Sequence, residues 1–178
     1  MIESDCFREF ALASAAHAAS VANYCDHAEH NEVVDADWVV GAADALRELA
    51  LEFATAHGLD LLELYARRLA AIESGNVPRR DGGFDGAAAA RSAMNWRELQ
   101  LVQVDHDRAY HPDVIGLARF DQLRHYAFHL AKIVGAFAAA TDEAELVERR
   151  LPDTLLFALK LRTVMAQWLE DEPLPRPT

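Results

Sequence analysis

Alternating runs of β-branched residues, the mark of half-buried strands, are missing from this 178-residue chain. Its apolar residues recur instead at three- and four-residue steps. That excludes a substantial sheet and predicts an all-α fold. Cysteine is nearly absent. Cys6 and Cys25 fall in one predicted helix, too far apart along it to bridge, so a disulfide scaffold is excluded and a reduced, cytoplasmic setting is expected. Basic residues are scarce: 17 Lys and Arg face 29 Asp and Glu, for a net charge of −12. This excludes general nucleic-acid binding, which needs clustered cations. It leaves room for a small phosphorylated ligand in a local basic pocket. No apolar run is long enough to span a bilayer, and the N-terminus lacks the basic-then-apolar pattern of a signal peptide, so no membrane partner is expected. The motifs GxGxxG, GxxxxGK[ST], HExxH, CxxC and GxSxG are all missing.

What is present is a hydrophobic content of 52%, enough for one core. The predicted architecture is a single bundle of about five or six helices. An N-terminal helical half (1–77) is joined by a Gly- and Pro-rich linker (78–83) to a second half (84–170), followed by a loose tail (171–178). The first helix runs from about Glu3 to Cys25 and gives way to a polar connection, Asp26 to Glu32. The second follows Asp35 or Asp37 and buries Trp38, Ala42, Leu46, Leu49 and Phe53. The third begins at Asp60, which has capping-box spacing to Glu63. Trp96, Leu99, Gln103, His106 and Tyr110 share one face of a helix that ends before His111-Pro112, because the residue before Pro avoids helical backbone. A further helix spans Arg119 to about Ala140. In the last one, capped by Thr141 or Asp142, apolar residues occur nearly all round, which places it at the centre. Pro152 inside it predicts a kink or a fresh helix start.

Three constellations carry the candidate chemistry. Asp121, His125, His129 and Lys132 fall on one stripe of the Arg119–Ala140 helix, opposite Leu123, Ala127, Leu130, Val134 and Phe137. Histidines four apart can bind one metal ion from a single helix face, with Asp121 as a ligand or as a partner that orients a ring. Lys132 suits a phosphate or carboxylate instead. The second group is Asp105-His106-Asp107 with Tyr110 and His111. Asp105 and Asp107 cannot share a helix face, and His111-Pro112-Asp113 is placed to reach across to His125. The third is Asp153, which shares a face with Phe157, Lys160 and Val164 and needs a partner if half-buried; Lys132, Arg150 or a histidine is expected to supply it.

The second half also resembles the all-α nucleotide pyrophosphohydrolases of the MazG-like family. Glu98-Leu99-Gln100 resembles that family's opening motif. His125 to Lys132 resembles its HLxxExxE helix, and Arg150-Leu151-Pro152-Asp153 resembles its ExxD helix. The resemblance implies a helical scaffold that binds a nucleotide. The family's magnesium-binding carboxylates correspond to His129, Lys132 and Arg150, and Asp153 alone is kept, so the standard magnesium site is lost. It then implies a pocket in which His125, His129, Lys132 and Asp153 act on a phosphorylated ligand, with Asp121, Arg150, Arg124 and His111 as binding residues. One alternative is a divalent transition-metal enzyme or sensor using His106 or His111 with His125, His129 and Asp121. Another is a non-catalytic module, homodimeric through its Ala-rich and last helices.

Overall fold

The computed structural model describes residues 2–75 and 84–175, and its regular elements there are helices, with one isolated β-bridge between Asn95 and Pro173. The long helices are α1 (Ser4–Glu29), α2 (Asp37–Ala56), α3 (Leu61–Gly75), α5 (Trp96–Tyr110), α7 (Arg119–Ala139) and α9 (Leu151–Val164). Short helices α4 (Gly86–Ser92), α6 (Pro112–Ile115) and α8 (Glu143–Glu145) lie between them. The expected five or six helices therefore match only the long ones, since segments this short carry too few residues to show a periodicity. The expected linker at 78–83 lies outside the described residues.

Local chemistry sets most boundaries. Asp60 Oδ1 accepts the Glu63 N–H, Asp85 Oδ1 that of Ala88 and Asp142 Oδ1 that of Glu145. Asn95 caps α5: its Oδ1 accepts the Glu98 N–H, and the Glu98 carboxylate reaches back past the cap to accept the Met94 N–H. α1 runs four residues beyond Cys25, so Asp26 to Glu29 are helical rather than part of the connection. α8 leads through a π-helical turn (Leu146–Arg150) straight into α9. α9 thus starts with Pro152 in its first turn, as a fresh helix start requires, although the π-helical turn joins it to α8 without a break. The wider turn before it absorbs the missing N–H and the ring.

α1 packs along α7 and α2 along α9, while α3 and α5 also lie against α9. Every residue of α9 from Leu151 to Leu161 is buried. Its apolar surface is consumed inside the chain's own core, at roughly 1.5–3 kcal/mol per large side chain. Phe7, Phe10, Phe53 and Phe137 form an aromatic cluster with ring centroids 4.5 to 6.4 Å apart. Trp38, expected in the core, is 40% exposed and meets the His27 ring in a T-shaped contact. The tail is not loose as far as Pro175. Glu172 O accepts the Trp96 N–H, Met94 O accepts the Leu174 N–H, and Leu174 is buried. Buried Gln100 clamps the approach to it, donating to Thr163 Oγ1 and Gln167 O and accepting from Leu169 N–H. No helix among the described residues is long and apolar enough to cross a membrane.

Candidate metal centre

The buried face of α5 is polar at its C-terminal half. Gln103, His106 and Asp107 occupy the same three- and four-residue steps as Trp96 and Leu99, so the helix carries them into the interior. His106 is fully buried, and neither ring nitrogen has a hydrogen-bond partner. Its Nε2 lies 3.7 Å from Glu73 Oε1 of α3 and its Nδ1 lies 3.8 Å from Asp107 Oδ1. Asp107 Oδ1 accepts from Gln103 Nε2 (3.0 Å), and Lys160 Nζ of α9 stands 2.9 Å away. Gln103 in turn accepts from the buried Tyr65 hydroxyl at 2.7 Å. Burial opposes the charge on Asp107, but the Lys160 ammonium and His106 outweigh it and hold the carboxyl below its usual pKa. Burial, reinforced by the Asp107 charge, pushes the Tyr65 hydroxyl well up, so it remains a donor.

Where α5 ends, Pro112 turns the chain and brings His111 back beside this group. Ligand atoms of His106, Asp107 and His111 all lie within 4.8 Å of one another. Two cavities border them, His106 and His111 lining one and Asp107 the other. The first, about 460 Å³, is lined by His106, His111, Asp113, His125, His129, Asp153, Phe157, Lys160 and Arg68, among others. The second, about 330 Å³, meets Asp107 and the other side of Lys160.

The expected stripe on α7 divides. The buried residues of that helix are Leu123, Tyr126, Leu130, Ile133 and Phe137. At 100° per residue, His129 lies about 80° and His125 about 120° from their mean direction, whereas Lys132 and Asp121 lie about 140° and 160° away. The two histidines are thus at the edge of the core and line the first cavity, with ring centroids 4.7 Å apart and His129 stacked on Phe157 at 4.8 Å. Lys132 and Asp121 are exposed and outside that lining. Burial lowers the pKa of His125, with help from Lys160 and Lys132. It takes His129 down to about 4, aided by Lys132 and the neighbouring His125. Burial and Lys160 also lower His111. All three rings are therefore neutral near pH 7 and offer a lone pair, the form that binds metal.

The other expected ligand-binding residues lie elsewhere. Arg124 pairs with Glu29 of α1 at 3.0 Å and Arg150 with Glu145 at 2.7 Å. The partner of Asp153 is none of those expected but Arg68 of α3, whose Nε donates to Oδ1 at 2.6 Å and Nη2 to Oδ2 at 3.4 Å. Arg68, Glu73 and Lys160 are the members that sequence reasoning missed as site residues. Lys160 alone left a signal, a cation inside an otherwise apolar helix. Arg68 and Glu73 sit on α3 with nothing in the local pattern to tie them to α5 and α9. Comparison with protein-family models, with curated proteins and with solved structures gives no match.

Proposed function

We propose that this protein binds a divalent transition-metal ion of the zinc class through His106, Asp107 and His111. The observation that carries this reading is the convergence of three donor atoms within 4.8 Å around a fully buried imidazole that has no hydrogen-bond partner. Two imidazoles and a carboxylate suit zinc or a neighbouring first-row ion. Charge supports the reading as well. Asp107 and Glu73 flank His106, and Lys160 is the one cation in an ion pair with either of them among the described residues. Two carboxylates thus share one ion-paired lysine, and a divalent ion would add positive charge beside them.

Three protein donors leave room for water or a ligand on the metal, the arrangement of a reactive centre rather than a structural one. The first cavity supplies that room. Bound there, the metal would lend Lewis acidity to a small molecule or to water. His125 and His129 contribute neutral nitrogens for further ligation or for hydrogen bonds from metal-bound water, and Phe157, Leu156 and Ile72 give an apolar wall. An anion pocket of the nucleotide-binding kind has less support in this cavity. Lys132 and Arg150 are outside it, and its two cations, Arg68 and Lys160, are each already paired with an aspartate.

Cobalt(II) titration followed by visible absorption tests the reading. One equivalent is expected to give d–d bands of a four- or five-coordinate nitrogen and oxygen site, and His111→Ala, at a partly exposed position, is expected to abolish them. Identical spectra for the wild type and His111→Ala would rule the triad out.

A further inference from the structure

The second cavity has a different electrostatic character from the first. Its charged lining is Lys160, Arg108 and Arg119 against the single carboxylate of Asp107. Arg108 has one partner, Asp105, in an exposed pair one turn apart on α5, and such pairs hold their members weakly. Arg119 opens α7 and makes no ion pair among the described residues. Asp107 is neutralised by Lys160, so the two arginines stand as excess positive charge over the cavity.

A second observation points to a ligand. Tyr126 is only 2% exposed and lines this cavity, and its hydroxyl is not among the fully enclosed polar atoms left without a partner. The ring is fixed by the edge of Phe157, with centroids 5.7 Å apart, and by Lys160 Nζ 5.8 Å from its centre. A phenol held rigidly in the wall of a cavity is placed to donate to an anion that enters it. Gln122 and Thr163, the other polar lining residues near it, are engaged in holding backbone: Gln122 Nε2 donates to Ile115 O and Leu117 O, and Thr163 Oγ1 donates to Leu159 O.

We propose that this second cavity is a binding site for a small oxyanion, a phosphate or carboxylate group, held by Arg119 and Arg108 and hydrogen-bonded by the Tyr126 hydroxyl, with Lys160 left to Asp107. Arginine forks match either oxyanion, and a phenol donor adds direction to the charge. None of the groups that hold the anion belongs to the metal triad, so the site stands or falls by its own test.

That test is calorimetric titration of the full chain, metal-free and at constant ionic strength, with inorganic phosphate and separately with succinate. Saturable binding at one site per chain by at least one of the two is expected, and the tighter of them identifies the oxyanion class. Arg119→Ala, at an exposed position that does not endanger folding, is expected to weaken it about tenfold, and Tyr126→Phe by several-fold, each the size of one charge-assisted or neutral hydrogen bond. Arg97→Ala, an exposed arginine outside the cavity, serves as the control and leaves affinity unchanged. Absence of saturation by either anion up to about 10 mM, or equal weakening in Arg119→Ala and Arg97→Ala, overturns the proposal.

Discussion

Replacing Lys160 by methionine is the sharpest perturbation of the buried charge set. Methionine keeps the volume of the aliphatic stem and removes the ammonium 2.9 Å from Asp107, where the two side chains are 9% and 6% exposed. Asp107 is left with Gln103 as its one hydrogen-bond donor among the described residues, beside His106 and near Glu73. Breaking a buried pair from one side costs about 3–5 kcal/mol. With a urea dependence of about 2 kcal/mol/M, the unfolding midpoint of the metal-free protein is expected to fall by about 1.5–2.5 M. Zinc at a hundredfold excess over its dissociation constant returns about 2.7 kcal/mol, so it is expected to restore more than half of the loss. The variant also binds zinc more tightly than the wild type, because no ammonium competes for the carboxylate. The double variant Lys160→Met/Asp107→Leu removes both charges. It is expected to lie within about 1 kcal/mol of the wild type and to gain nothing from zinc. A Lys160→Met midpoint close to that of the wild type without zinc, or equal zinc stabilisation of the wild type and the double variant, would refute this reasoning.

Other consequences are open to measurement. A Cβ on Gly86 meets Glu73 Oε1 at 2.7 Å, His106 Cδ2 at 3.0 Å and Leu69 Cδ1 at 3.2 Å, while the Gly86 N–H donates to that same Glu73 oxygen. Gly86→Ala is therefore expected to cost about 1–3 kcal/mol in thermal or urea unfolding and to weaken metal binding together with it; unchanged stability contradicts the packing around His106. Arg68→Met leaves Asp153 buried and unpaired and is expected to cost about 3–5 kcal/mol, whereas Arg68→Met/Asp153→Leu recovers most of that in a double-mutant cycle. His129 has an ordinary pKa of 6.5 when unfolded and about 4 in the fold. Above pH 6.5 both states are neutral and the group has no effect. Between 6.5 and about 4 the unfolded chain takes up the proton first, so stability falls as pH falls, by about 1–2 kcal/mol after allowance for solvent screening. Urea unfolding of the metal-free protein at pH 7 and pH 4.5 is expected to show this drop, and His129→Phe to make it smaller; an equal drop in both assigns it elsewhere.

The helices were legible because periodicity and capping are local. The apolar circumference of the last helix, the spacing Trp96-Leu99-Gln103-His106-Tyr110 and the Asp60 and Asp142 caps each translate directly into the structure. The candidate site was legible only in part. His106, His111, His125 and His129 were marked, and they do line one cavity. Asp121 and Lys132 were grouped with two of them by a helical wheel that gave the stripe but not its edge. Which side of a stripe meets the core depends on Tyr126 and Ile133, whose burial comes from packing against other helices. Asp107 was set aside because it cannot share a face with Asp105, yet that same argument turns Asp107 inward and leaves Asp105 outside. The pairings Arg68–Asp153 and Lys160–Asp107 join residues 85 and 53 positions apart, a matter of tertiary arrangement that no local pattern encodes.

The most direct test of the central claim is elemental analysis of the full chain, purified without an affinity tag and then equilibrated with zinc and desalted. About one ion per chain is expected for the wild type and for Arg119→Ala, and almost none for His111→Ala or Asp107→Asn. Wild-type protein that retains no zinc, or a His111→Ala variant that retains as much as the wild type, would contradict the account.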